Sequence, residues 1–168
     1  MRIHPGIVVA LIAAAACSGD IATAQAPQSP SAERSAASSP ASPGQSVQWS
    51  PAPPIFPAGA EIAVMQGDPS KAGEEFTVRL RFPNGYRIAP HTHPTTENVT
   101  VLGGTFLVGM GTTFEQSGML TLGRDGFVSA PAEHPHYAMA RGQTVVQVHA
   151  IGPFVLTYVN PADDPTKR

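Results

Sequence analysis

The clearest pattern along the chain lies at Phe76 to Phe82, where Phe76, Val78, Leu80 and Phe82 alternate with Thr77, Arg79 and Arg81. A period of two belongs to a strand with one buried face and one wet face. Short apolar runs of similar length recur at Ile62 to Met65, Glu97 to Leu102, Thr105 to Met110, Met119 to Leu122, Phe127 to Ala130, Thr144 to Ile151 and Phe154 to Val159. Turn-forming residues separate several of them, at Pro83-Asn84-Gly85, Gly103-Gly104 and Arg124-Asp125-Gly126. Strands at near-regular spacing with this punctuation predict an all-β sandwich or barrel. Past the N-terminal apolar run, no segment sustains a helical period and no internal repeat is visible.

The ends of the chain read differently. Arg2 and then the apolar run Ile7 to Ala16 form the n-region and h-region of an export signal. That run is well short of the ~20 apolar residues a membrane-spanning helix needs. Two processing sites fit: Ala14-Ala15-Ala16-Cys17, which resembles a lipobox and would leave a lipid anchor on Cys17, and Ala22-Thr23-Ala24, which would release a chain starting at Gln25. The first predicts attachment to the cell envelope and the second a free periplasmic protein. Residues 25–54 are mostly Pro, Ser, Ala and Gln, with Trp49 the one large side chain, and are expected to be a disordered linker. The folded domain is expected over 55–162, with 163–168 a polar tail.

Composition removes several function classes. Charged residues make up 13% of the chain and the net charge is −2, which excludes the basic footprint of nucleic-acid binding. Cys17, the single cysteine, lies in the signal region, so neither an intrachain disulfide nor a thiol nucleophile is available to the domain. The serines lie mostly in the linker, leaving no Ser-His-Asp nucleophile, and the glycine pairs lack the helix of a phosphate loop.

What remains is a set of histidines. His91 and His93 stand two apart, so an extended backbone sends both imidazoles to one face, and Glu97 follows after the Pro94-Thr95-Thr96 turn. A distant partner is His136, at the end of Pro131-Ala132-Glu133-His134-Pro135. Three imidazoles and one carboxylate suit a single divalent transition metal, Fe, Mn, Ni, Cu or Zn, with coordination positions left open. His134 competes with His136 as a ligand or sits at the rim. His149 reads either as a pocket group supporting the site or as a core histidine. Tyr86, Met110, Tyr137 and Phe154 read either as cavity lining or as simple core packing.

At these residues the chain resembles the cupin superfamily. The family's first motif runs glycine, five residues, His-x-His, three or four residues, Glu, six residues, glycine, and Gly85, His91, His93, Glu97 and Gly104 match it at every spacing. In the second motif Pro131 and His136 fit, whereas Glu133 stands where the family has glycine and Gly126 lies one residue closer to the proline. The resemblance covers about residues 60 to 158. It implies a single jelly-roll barrel, the double-stranded β-helix, with a metal in its mouth held by His91, His93, Glu97 and His136. It further implies a small-molecule substrate, oxygen-rich and changed by oxidation or isomerisation, with Glu97 as the catalytic base. A non-catalytic module for a metal or small ligand is the alternative. A homodimer through barrel edges is also suggested by the resemblance.

Overall fold

The computed structural model describes residues 46–167. The proposed signal, Cys17 and most of the proposed linker therefore lie outside the described residues. Nine strands form one curled antiparallel sheet: β1 (Ser50–Pro51), β2 (Glu61–Gln66), β3 (Glu75–Phe82), β4 (Arg87–Thr92), β5 (Glu97–Met110), β6 (Leu120–Leu122), β7 (Phe127–Ala130), β8 (His136–Ile151) and β9 (Thr157–Tyr158). Strand order is β1-β2-β3-β8-β4-β9, while β5 pairs with β6, β7 and β8. Among the described residues the only helical pieces are short 3-10 turns, and no helix is long and apolar enough to cross a membrane.

The core forms where the alternation predicts it. Phe76, Val78, Leu80 and Phe82 are all buried and pack with Val99, Val101, Phe106, Val146 and Val148. Burying such side chains is worth roughly 1.5–3 kcal/mol each, which is why the register of β3 against β8, from Glu75↔Ile151 to Phe82↔Thr144, is fixed along its whole length. The outward residues pair on the wet face, where Arg81 Nε donates to Glu61 at 2.6 Å and Arg79 Nε to Gln147 at 3.2 Å.

Four elements depart from the sequence expectation. Gly103-Gly104 is no hairpin turn: β5 continues through it, and its pairing with β8 shifts register between Val101 and Gly103 and again between Gly103 and Thr105. Gly104 has φ +79°, and a side chain there would collide with the backbone carbonyl of Gln143. Thr144 fills the broken ladder, donating from Oγ1 to Thr105 O at 3.0 Å and accepting from Thr105 N at 3.2 Å. This glycine pair is a corner at which a long strand bends.

β8 begins at His136 rather than Thr144. Its first residues, His136 to Ala140, are buried without alternation, so the period-two signal is absent there. β4 was hidden by Pro90, whose missing N–H falls where the β4–β8 pairing shifts register between Ile88 and His91. Order also starts before residue 55. Ser50 and Pro51 pair with Ile62 and Glu61, Ala52 N donates to Ala60 O, and Arg81 lies 4.5 Å over the Trp49 ring.

Candidate metal centre

Three strand ends deliver the site. His91 lies near the end of β4, its Cα directly opposite that of His136 at the start of β8. His93 follows just past β4, on the same side as His91, and the bend at Pro94-Thr95 returns the chain so that Glu97 opens β5 opposite Ala130. That bend is tied down by Thr95 Oγ1, which donates to Ile151 O at 2.6 Å. The turn before His136 is held by Glu133 N donating to His93 O and His134 N to Pro131 O. Glu133 adopts φ +58°, the left-handed conformation that explains why glycine suits this position.

All four predicted ligands are buried and face one another. One nitrogen each from His91, His93 and His136 lies within 4.8 Å of the others. Each ring is oriented from behind by a backbone carbonyl: His91 Nδ1 to Ala89 O at 2.7 Å, His93 Nδ1 to Val155 O at 2.8 Å and His136 Nδ1 to His134 O at 3.0 Å. A carbonyl only accepts, so each Nδ1 carries a proton and each ring turns its Nε2 inward, where a neutral ring offers a lone pair. Nε2 of His93 and of His136 are buried and make no hydrogen bond. Glu97 Oε2 stands 3.6 Å from the first and 3.4 Å from the second. Orphaned buried lone pairs are costly unless something meets them. The donor set, its burial and its carbonyl supports fit a resident transition metal.

Electrostatics favour neutral rings at His91 and His93. Burial, with the neighbouring imidazoles, holds His91 down to about 3, and burial also lowers His93 against the pull of Glu97. Burial pushes the Glu97 carboxyl up, but His136 and His93 together bring it below its ordinary value. Burial pushes His136 down, yet Glu97 beside it lifts the ring above the usual histidine range.

A cavity of about 30 Å³ opens onto these four residues. Phe154 lines it and stacks on the His93 ring, centroids 5.1 Å apart and 17° from parallel. The other aromatic candidates do not reach it. Tyr86 stacks on Phe82 and donates to Pro57 O, while Tyr137 donates to Glu115 O across the barrel wall. Met110 is exposed. His149 faces outward, 3.1 Å from Thr77 Oγ1, and His134 is exposed at the rim, offering only its carbonyl. Phe56, not singled out by the sequence, also lines the cavity. The carbonyls behind the three rings carry no sequence signal at all.

No protein-family model matches the chain, and no curated protein does. Solved structures do match. A candidate acetylacetone dioxygenase of Methylibium petroleiphilum is 22% identical, with a TM-score of 0.55 over 71% of this chain and 79% of that one. An RmlC-like cupin of Shewanella frigidimarina is 15% identical, TM-score 0.52, over 68% and 91%. The polyketide cyclase RemF of Streptomyces resistomycificus is 17% identical, TM-score 0.52, over 64% and 76%. In fold, then, the chain is a barrel of the cupin type.

Proposed function

We propose that this protein is an exported mononuclear metallo-cupin that acts on a small molecule, as an oxidoreductase of dioxygenase type or an isomerase. The observation that carries this reading is the pair of buried, unpartnered Nε2 atoms of His93 and His136, converging with His91 and the Glu97 carboxylate. His91, His93, His136 and Glu97 would hold one Fe, Mn, Ni, Cu or Zn ion. Such an ion supplies Lewis-acid or redox chemistry at positions the protein leaves open. The carbonyls of Ala89, Val155 and His134 keep the imidazoles in one tautomer and one orientation. Phe154 and the apolar wall surround the site with side chains that offer water no hydrogen bond. Among the described residues Glu97 is the one acidic side chain at the cavity and the natural acceptor for a substrate proton.

Elemental analysis of the full chain, purified from the periplasm without an affinity tag, tests the metal. Close to one equivalent of a transition metal is expected, lost in His91→Ala and His136→Ala. A wild-type protein that is metal-free and cannot be reconstituted overturns the reading. The narrowness of the cavity favours a second reading, a metal-holding module without turnover. Glu97→Gln separates the two: retained metal with abolished turnover supports the enzyme, whereas ligand-dependent thermal stabilisation with no turnover on any substrate supports the module.

A further inference from the structure

Apart from the site itself, every side chain that lines the cavity is apolar. Leu80, Phe82, Val99, Phe106, Val146 and Val148 are among the wall residues, and none offers a side-chain hydrogen bond. Among the described residues no lysine, arginine, serine, threonine, asparagine, glutamine or tyrosine lines it. The nearby cations are engaged outside the barrel: Arg79 with Gln147, Arg81 with Glu61, and Arg87 5.3 Å over the Phe114 ring. Among the described residues the one polar patch is the three imidazoles and Glu97.

Size narrows the ligand further. The cavity, about 30 Å³, is a small one that opens directly onto the four site residues. A hydroxyl or charged group carried into that wall leaves its water partners behind and finds none in return.

We infer that the substrate class is a small molecule with its donor atom at the metal end and an uncharged, apolar remainder, and that polyols and molecules carrying charge along that remainder are excluded. The oxygen atoms expected of a cupin substrate would then be confined to the end that meets the site. This rests on the metal reading for the donor end alone; the apolar wall stands without it.

Three thiols of equal heavy-atom count test the tail: 1-propanethiol, 2-mercaptoethanol and 2-mercaptoethylamine, bound to the zinc-loaded full chain and followed by calorimetry. The methyl tail is expected to bind at least about tenfold more tightly than the hydroxyl tail, equivalent to ~1.4 kcal/mol, and the ammonium tail more weakly still. Equal affinities, or a preference for the hydroxyl or ammonium tail, overturn the inference. In parallel, the metal-free protein is placed under xenon and the methyl resonances of Val99, Val146 and Val148 are followed by NMR. Saturable shifts confined to the wall support an apolar, ligand-accessible cavity, and their absence overturns it. A chain that takes up no zinc yet binds xenon loses the metal reading and keeps the apolar cavity.

Discussion

Acidifying the metal-free protein should destabilise it through His91 in particular. In the unfolded chain this ring titrates near 6.5, while burial in the folded protein holds it down to about 3. Between those values the unfolded state binds a proton that the folded state refuses, so stability rises with pH by about 1.4 kcal/mol per pH unit. The contribution is fully present above pH 6.5 and is lost progressively as the pH falls toward 3. From pH 6 to pH 4 the His91 share amounts to ~2.5 kcal/mol. His93 and Glu97, both lowered, act in the same direction, while His136, raised, opposes them by favouring the folded state at low pH. A single variant removes the His91 share together with its coupling to His93, His136 and Glu97. Urea unfolding in excess chelator, at pH 6 and pH 4, should show the wild type losing ~2–3 kcal/mol more than His91→Leu. Equal losses in the two proteins would refute the claim that His91 is kept neutral by burial, and with it the picture of a ring held ready to ligate.

Other outcomes follow from local geometry. Glu133→Gly relieves a left-handed residue at φ +58° while keeping the N–H that His93 O accepts, and should raise stability by about 1 kcal/mol in chemical denaturation. Gly109→Ala would drive a methyl into the Tyr137 ring, which is buried and hydrogen-bonded to Glu115 O. A loss of about 2–3 kcal/mol is expected, and a double-mutant cycle with Tyr137→Leu should show strong coupling rather than additivity. Starting the chain at residue 55 removes the β1–β2 pairing and the Trp49–Arg81 contact, and should lower Tm by about 5 °C relative to a chain starting at residue 46. Loading a metal should raise Tm in wild type and leave His136→Ala unmoved, as read by differential scanning fluorimetry.

Much of the barrel was legible because β3, the first half of β5 and the last half of β8 each bury one face, which writes the period of two into the sequence. The same logic explains the failures. His136 to Ala140 are covered on both faces, and Pro90 occupies a register break, so neither segment alternates cleanly. Glycine pairs mark hairpins and corners alike, and only the pairing partner, Gln143-Thr144 on β8, tells them apart. The site was legible because metal chemistry restricts residue type: His91, His93, Glu97 and His136 carry it in their spacing, and all four converge. The groups that orient the rings are backbone carbonyls, which any sequence supplies. The apolar wall was invisible for a different reason, since Val146 or Phe82 reads identically whether it faces a neighbour or a cavity.

The corner at Gly103-Gly104 has a mechanical consequence. Glu97 and Met110 stand at opposite ends of β5, ~44 Å apart if that strand were straight. Met110 is the pairing partner of His136, yet His136 sits 3.4 Å from Glu97. The two ends of one ladder meet only because the strand turns back on itself, as the ends of a bracelet meet at its clasp. The ligand set is that clasp. A chain that has not closed its barrel has no complete site, so metal affinity doubles as a gauge of closure, and a bound ion would resist the opening of the whole hoop rather than of one loop.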